Sequence, residues 1–258
     1  MSTNPPSSRT ITTECHVGVT ADIAGISDKL VAAAKYGFAS IDRQTGQIEW
    51  LQRVYEGEGP DVERRMRMND GAVDSYGRFW VGSMNDTHLV DHWPKYEGSL
   101  FRLDPDGSVH TILHHALAVP NGIAWNLAGD IMYLTESDTK DIYAFDFDAE
   151  KGRISNKRIF FHNQTEGLPD GLVVDEEDCL WSALWRGSQV IRISPSGDII
   201  GVIDLPCPLV TCPTFVDTDL IITTANYAEE SPTQHGGGVF RVNVGVRRGR
   251  NHKAKLQM

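Results

Sequence analysis

The sequence lacks the features of several protein classes. No run of apolar residues approaches the roughly 20 that a membrane-spanning helix requires, and the opening MSTNPPSSRT has neither the basic end nor the apolar core of a secretory signal. Basic residues are also scarce, because 24 Lys and Arg face 35 Asp and Glu, for a formal net charge of −11. Nucleic acids bind positively charged surfaces. We therefore expect a cytoplasmic protein with no membrane or nucleic-acid partner, for which a small molecule or a cation is the better candidate.

Cysteine is too rare for a disulfide framework. The 258 residues include four cysteines, and no two of them have the Cys-x-x-Cys spacing typical of zinc or redox sites. We expect reduced thiols that are mostly buried in the protein interior. The four are Cys15, Cys179, Cys207 and Cys212.

Helical periodicity is almost absent as well. Short alternating apolar runs that end in Gly, Pro, Asn or Asp recur along the whole chain, which is typical of strands and tight turns. The chain is therefore predicted to be all-β. One recurring phrase places apolar residues before Asp or Asn, then a turn, then a second apolar and aromatic stretch. It occurs at residues 72–80, 124–133 and 174–181, with a weaker copy at 215–222.

A second phrase, consisting of an alternating strand, a turn and a returning strand, alternates with the first. Its central residues lie in steps of 63, 42, 48 and 49 positions. A period of about 40 to 50 residues is typical of propeller blades, whereas a β-sandwich would alternate without this rhythm. We predict a single β-propeller domain in which most of the repeated aromatic side chains pack between blades. The central residues are Phe38, Phe101, Tyr143, Ile191 and Phe240.

Three copies of the first phrase are preceded by a polar residue and a glycine. Taken singly, such pairs are common in turns, because Asn, Asp and Gly tolerate positive φ. In a propeller, turns at the same place in successive blades would also converge at the mouth of the central channel. Amide and carboxylate oxygens are hard donors that suit Ca²⁺ or Mg²⁺, so the sequence predicts a cation site at this mouth. The three motifs are Asn69-Asp70-Gly71, which follows Arg67 closely, Pro120-Asn121-Gly122 and Pro169-Asp170-Gly171.

Longer stretches of the chain resemble the senescence marker protein, regucalcin and gluconolactonase family, which includes luciferin-regenerating-enzyme-like proteins. The resemblance extends from about residue 19 to residue 246 in the order of the family. The resemblance implies a six-bladed propeller that hydrolyses lactones of sugar acids or related esters. The matching stretches are RRMRMNDGAVDSYGRFWVGSM (64–84), GSLFRLDPDG (98–107), VPNGIAWN (119–126), YAFDFDAEKGRISNKRIF (143–160), LPDGLVVDEEDCLWSALWRGSQVIRISPSG (168–197) and GGGVFRVNVGV (236–246).

The resemblance also implies roles for four residues. Asn121 matches the metal-binding Asn of the family, and Asp170 matches its metal-binding Asp, which can double as the general base. Arg67 and Asn69 match the pair that holds the oxygens of the substrate. The implied cofactor is a divalent cation, usually Ca²⁺ and sometimes Zn²⁺ or Mn²⁺, and the implied partner is a small lactone or ester. In such a site the cation polarises the carbonyl group while a carboxylate takes a proton from the attacking water.

The sequence departs from the family near its beginning. Members normally open with a Gly-Glu-Gly-Pro phrase whose Glu is the third protein ligand of the metal, but here residues 13–18 run directly into residues 19–25. On the order of 40 residues are thus expected to be missing at Gly18/Val19, either through an incorrect gene model or splicing event or through decay of the protein. Gly57-Glu58-Gly59-Pro60 spells the phrase, but it lies in an acidic loop and is not expected to bind the metal, and Glu14 is no better placed.

These observations predict a six-bladed-type β-propeller with an incomplete first blade. A polar N-terminal segment (residues 1–18) would precede the propeller domain (19–246), and a basic C-terminal tail (247–258) would follow it.

The predicted function is a metal-dependent hydrolase of sugar-acid lactones, impaired because only one metal-binding carboxylate, Asp170, remains. The alternative is a non-catalytic, calcium-binding propeller of the regucalcin kind. A third possibility, phosphotriesterase-like or paraoxonase-like activity, would require a histidine in the channel. The only adjacent pair, His114-His115, follows a predicted strand at residues 109–113 and is expected in a surface turn.

Overall fold

The computed structural model describes residues 11–89, 96–227, 235–249 and 255–256. Apart from a 3₁₀-helix (Glu56–Glu58) and the six-residue helix α1 (Pro60–Arg65), the regular structure consists of β-strands. In the ranges described, no helix has the length and apolarity needed to cross a membrane. The first two sheets have four strands each, namely β1 (Val17–Ile23), β2 (Ile26–Ala34), β3 (Gly37–Asp42) and β4 (Ile48–Arg53), then β5 (Met66–Val73), β6 (Phe79–Asn85), β7 (Gly98–Leu103) and β8 (Val109–Leu117).

Three further sheets follow along the chain. The third and fourth have four strands and the fifth has three. Their strands are β9 (Pro120–Trp125), β10 (Ile131–Glu136), β11 (Asp141–Asp148) and β12 (Arg153–His162), then β13 (Leu168–Val174), β14 (Leu180–Trp185), β15 (Gln189–Ile193) and β16 (Ile199–Asp204), and finally β17 (Val210–Val216), β18 (Asp219–Thr224) and β19 (Val239–Asn243).

The sheets are the blades of a β-propeller, as predicted. Within each sheet, consecutive strands pair antiparallel in the order of the sequence. The first strand of each blade contacts the first strand of the next, from β1 through β5, β9 and β13 to β17. Each blade is built from one continuous stretch of chain. In a propeller, first strands that contact one another in this way surround a common channel.

The described residues form five blades, so the prediction of six blades with an incomplete first one is wrong. Each of the five copies of the second sequence phrase forms the third strand of a blade, and the chain therefore encodes strands for five blades. The first blade has all four strands, because residues 17–34 fold into β1 and β2 and pair with β3.

Hydrophobic clusters fill the spaces between consecutive blades. Phe38 of blade 1 contacts Phe79 of blade 2 edge to face, with ring centroids 5.8 Å apart. Trp80 and Trp125 meet in the same way between blades 2 and 3, at 6.3 Å. These rings are buried, and such contacts stabilise the fold through apolar burial and edge-to-face attraction. The expectation that the repeated aromatic residues pack between blades is confirmed.

Residues beyond β19 return to the blades. Arg248 forms an isolated antiparallel bridge with Asp175, directly after β13, and Leu256 forms a parallel bridge with Ile23 at the end of β1. The Leu256 side chain is fully buried in the cluster between blades 1 and 2. The predicted N-terminal segment and C-terminal tail otherwise lie partly outside the described residues.

The Asp of the first sequence phrase organises the loop between the first two strands of a blade. In blade 4, the buried carboxylate of Asp175 accepts hydrogen bonds from Trp181 Nε1 at 2.9 Å and from Arg192 Nη2 at 2.7 Å. In blade 2, Asp74 accepts in the same way from Trp80 Nε1 at 2.9 Å. The recurring Asp and aromatic residues are thus the two ends of one buried interaction.

We predict that Asp175→Ala strongly destabilises the protein. The substitution leaves the Arg192 guanidinium and the Trp181 indole N–H without their buried acceptor, which is expected to cost about 3 kcal/mol of unfolding free energy or more. Asp204→Ala is the control, because that exposed carboxylate only accepts from Gln189 Nε2 and its loss should cost less than about 1 kcal/mol. Urea unfolding of both variants measures the difference, and equal destabilisation would contradict the assignment.

Candidate functional site

A cavity of about 970 Å³ opens at the end of the channel where the first strands of the five blades begin. Its wall includes all four residues predicted for the site: Arg67, Asn69, Asn121 and Asp170. They come from three blades, on β5, β9 and β13. The fold therefore gathers these distant parts of the sequence around one water-accessible space.

The motifs lie inside the first strands rather than in turns before them, so that part of the prediction is wrong. In β5, β9 and β13 the two residues at the polar motif face a single residue of the neighbouring strand, which is the arrangement of a β-bulge. A bulge interrupts the alternation of side chains and redirects them locally. At this place each of the five first strands has one residue more than the strand it pairs with. The irregularity lies at Gly18 and Thr211 in the first and last blades, and at Asn69-Asp70, Asn121-Gly122 and Asp170-Gly171 in the others.

The glycines of these motifs permit close approach of strands and do not adopt positive φ, contrary to the expectation for turns. A Cβ on Gly122 would lie 2.5 Å from the backbone nitrogen of Leu172, in the neighbouring blade. A Cβ on Gly171 would lie 2.7 Å from the Cβ and Sγ of Cys212, one blade further on. Both distances are shorter than real Cβ contacts, so any larger residue would push the first strands apart around the channel.

A chain of hydrogen bonds crosses the cavity wall from blade 2 to blade 4. Asn69 Oδ1 accepts from Arg67 Nη1 at 2.7 Å, and Asn69 Nδ2 donates to Asn121 Oδ1 at 2.7 Å. Asn121 Nδ2 donates to Ser137 Oγ at 2.7 Å, and Ser137 Oγ donates to the carbonyl oxygen of Pro169 at 2.5 Å. These bonds fix the orientation of the Asn121 amide. Sequence reasoning missed Ser137, because nothing in its local sequence indicates this bridging position.

Three carboxylates line the cavity, those of Asp70, Asp138 and Asp170, whereas the sequence predicted one. Burial raises the pKa of the Asp70 carboxyl to about 6 from its usual 3.8. Burial and then the negative charge of Asp70 raise the pKa of Asp170 well above 3.8. Among the residues that the structure describes, no basic side chain compensates either group. Asp70 stands within the quoted motif, so its place beside Asn69 was the available signal.

Cys212 belongs to the same wall, in blade 5. Burial and then the charges of Asp70 and Asp170 raise the pKa of its thiol. The protonated thiol is a poor nucleophile and a poor metal ligand, so burial and then the acidic groups keep Cys212 inert. All four cysteines are free.

His16 lines the cavity at the start of blade 1. This position was not predicted from the sequence, because only the adjacent pair His114-His115 was considered there. Burial and then the positive charge of Arg67 lower the pKa of the His16 imidazole below its usual 6.5, so the ring is neutral at physiological pH. Neither Glu14 nor Glu58 contributes to the cavity wall.

An aromatic pair borders the same cavity. The rings of Trp185 and Tyr227 meet edge to face, with centroids 5.7 Å apart. They provide an apolar surface beside the polar groups, which is the usual composition of a small-molecule site.

The donor set fits a hard divalent cation. Asn121 Oδ1, Asp170 and Asp70 are oxygen donors, and the two carboxylates supply negative charge that no described basic residue neutralises. Ca²⁺ and Mg²⁺ prefer this kind of ligand, and Ca²⁺ tolerates irregular geometry better. A cation from solution would therefore supply the positive charge that Asp70 and Asp170 do not receive from a described basic side chain.

Comparison with known proteins identifies the family of this chain. The family model described as SMP-30/Gluconolactonase/LRE-like region matches residues 3–226. The chain belongs to this family. Pentonolactonase XacC of Haloferax volcanii is 31% identical over 85% of this SMP-30/gluconolactonase/LRE-like chain and 80% of its own length. Regucalcin of Xenopus laevis is 31% identical over 81% of this chain and 72% of its own length. A solved luciferin-regenerating enzyme matches with a TM-score of 0.81 and 28% identity, over 93% of this chain and 82% of the other.

We predict that Gly122→Ala disrupts the site and lowers stability. The new Cβ would collide with the backbone of β13, which should separate Asn121 from Asp170 and cost about 1 to 3 kcal/mol. Gly57→Ala is the matched control, because nothing lies within 4 Å of a Cβ there and φ is not positive; it should change stability by about 0.5 kcal/mol or less. Thermal unfolding of both variants, with and without Ca²⁺, tests this, and an unaltered Gly122→Ala protein would contradict it.

We predict that Asp70→Asn stabilises the cation-free protein at neutral pH. Because the pKa of Asp70 is raised on folding, the native state binds the proton more tightly than the unfolded state, and stability falls as pH rises from about 4 to about 6. Asn removes this loss. The unfolding free energy of the variant should therefore exceed that of the wild type by about 2 kcal/mol at pH 7.5, with no difference below pH 4.

The measurement is the unfolding free energy of the variant and the wild type across this pH range in EDTA. Asp28→Asn, which removes one exposed charge, is the control for net charge. A gain that is independent of pH, or equal in the control, would show that the raised pKa is not its source.

Proposed function

We propose that this protein is a divalent-cation-dependent hydrolase of sugar-acid lactones. The observation that carries the proposal is the convergence of Asn121, Asp170 and Asp70 with the guanidinium of Arg67 on one cavity. The likeness to a pentonolactonase supports the same substrate class. The free thiols are compatible with the cytoplasmic location expected from the sequence.

Asn121 and Asp170 would hold the cation, with Asp70 adding negative charge close by. Ca²⁺ is the first candidate, because all of these donors are oxygens, and Zn²⁺ or Mn²⁺ are the others. When bound, the cation would polarise the lactone carbonyl and stabilise the negative charge that develops on its oxygen.

The residues of the chain would do the remaining work. Asp170 would accept the proton of the attacking water. Water adds to the carbonyl carbon, the ring C–O bond breaks, and the ring oxygen leaves as a hydroxyl group of the open-chain acid. The proton that Asp170 accepts returns to this leaving oxygen.

Arg67 would bind and orient the oxygens of the substrate. Its Nη1 is engaged with Asn69 and the Met68 carbonyl, while its Nε and Nη2 donate to no described residue and remain available to a ligand. Both N–H groups of Asn69 donate within the protein, to Asn121 and to the Pro120 carbonyl. Asn69 would therefore act mainly by positioning Arg67 and Asn121, and hold substrate through its remaining acceptor capacity.

We propose further that the activity is lower than in family members with the third-ligand Glu. The cavity wall contains neither of the glutamates that could replace it, Glu14 and Glu58. Cation affinity falls as the number of charged ligands falls, toward the millimolar range. Asp70 would compensate for part of this loss by adding negative charge beside Asp170.

The test is hydrolysis of a panel of aldonolactones by the full chain in EDTA and with Ca²⁺, Zn²⁺ or Mn²⁺. We expect cation-dependent turnover that Asp170→Asn or Asn121→Ala lowers about 100-fold or more in kcat/KM, as for other groups that stabilise the transition state. Asp28→Asn, an exposed carboxylate far from the motifs in sequence, should leave it unchanged. No turnover above the EDTA blank with any cation would contradict the proposal.

The likeness to regucalcin supports a second candidate, a propeller that binds Ca²⁺ without catalysis. The same proteins distinguish the two. A cation-dependent rise in Tm that Asp170→Asn abolishes, with every lactone and ester left intact, would favour the binding protein.

A further inference from the structure

A second group of metal-binding side chains lies outside the cavity. Glu58, His114 and His115 each place one possible ligand atom within 4.8 Å of the others. None of the three lines the cavity. All three are exposed, so a metal ion could reach them without a channel.

An irregularity of β8 brings the two imidazoles together. The predicted strand at 109–113 in fact continues to Leu117, so the expectation of a surface turn at His114-His115 is wrong. Between Leu113 and Leu117, three residues of β8 face the single residue Ser99 of β7. The N–H of His115 donates to Ser99 Oγ at 3.1 Å, which anchors this bulge.

The backbone of His115 has a φ of 45°, in the left-handed region that residues other than Gly rarely adopt. In a regular strand, adjacent side chains point to opposite faces. Here the rings of His114 and His115 are stacked on one side, with centroids 3.9 Å apart and planes 21° from parallel. The strained conformation therefore produces a convergence that an ordinary strand would prevent.

Glu58 supplies a carboxylate from the 3₁₀-helix between blades 1 and 2. Its Oε2 lies 3.1 Å from His115 Nε2. Two imidazoles and a carboxylate are a common set of protein ligands for zinc, with water in the fourth position. Tetrahedral zinc requires its nitrogen ligands about 3.3 Å apart, which small rotations of these exposed side chains can reach.

We propose that Glu58, His114 and His115 form a second metal site, which takes a divalent transition metal of the zinc type. Imidazole nitrogen favours Zn²⁺ and related ions, whereas the oxygen donors of the cavity favour Ca²⁺. Donor chemistry thus gives the second site a stronger preference for Zn²⁺ than the oxygen donors of the cavity have. The metal would fasten the segment between β4 and β5 to the outer strand of blade 2.

The test uses the full chain, stripped with EDTA and then saturated with Ca²⁺ to occupy the oxygen site. Calorimetric titration with Zn²⁺ should then show one further site. His114→Ala combined with His115→Asn should weaken Zn²⁺ binding at least tenfold, and Glu58→Gln should weaken it severalfold. Asn is chosen at position 115 because it tolerates positive φ and preserves the bulge. Zn²⁺ binding is measured independently of lactone hydrolysis, so this outcome does not depend on the proposed function.

His110→Ala is the matched control, because His110 is an exposed histidine on the same strand and is not one of the three cluster residues. It should bind Zn²⁺ as the wild type does. Substitution of Co²⁺ for Zn²⁺ adds a spectroscopic test, because visible absorption typical of tetrahedral cobalt should appear in the wild type and disappear in the double variant. Equal Zn²⁺ affinity in the wild type and double variant, or an equal loss in His110→Ala, would overturn the proposal.

Discussion

The candidate site depends on one extra residue at the same place in each first strand. In an unbroken ladder, alternation would direct every second side chain of these strands toward the neighbouring blade. The bulge redirects Asn69, Asn121 and Asp170 to the cavity while the rest of each strand keeps its alternating core contacts. The glycines at 122 and 171 then let adjacent strands approach closely enough for these side chains to share one space. The bulges and the close approach at the glycines therefore act together to bring the oxygen donors to one cavity.

The electrostatics of the cavity favour binding at the expense of stability. A fold selected only for stability would pair the carboxylates of Asp70 and Asp170 with cations, as it pairs Asp175 with Arg192 at the other end of β13. Instead, burial raises the pKa of both carboxyl groups, and the negative charge of Asp70 raises that of Asp170 further. Uncompensated charge of this kind is typical of functional sites. The contrast between the two ends of one strand distinguishes a structural carboxylate from one available to a ligand.

The sequence predicted where the strands of the blades lie but not the number of blades. It also predicted which residues line the cavity but not the backbone conformation that directs them there. The repeat that includes Phe38 and Phe101 was sufficient to locate strands, because strand alternation and core packing leave a clear period; the structure shows that each is the third strand of its blade. The polar-glycine motifs were located correctly but interpreted as turns, since bulge and turn use the same residue types. His16 and Ser137 could not be predicted, because their roles depend on which loops the closed arrangement brings together. The family resemblance implies six blades, whereas the repeats present in the chain number five.

The attachment of blade 1 also depends on contacts that the sequence did not predict. In the described ranges, the hydrophobic clusters lie between consecutive blades, from blades 1 and 2 to blades 4 and 5. Blade 1 gains a further connection through Leu256, whose N–H donates to the Asp22 carbonyl and whose carbonyl accepts from the Ala24 N–H. Arg248 attaches the same C-terminal stretch to blade 4. Main-chain pairing by residues beyond the last strand therefore reaches both blade 1 and blade 4, at the ends of β1 and β13 opposite the cavity. Composition alone suggested only a basic tail for this part of the sequence, because composition does not reveal main-chain pairing.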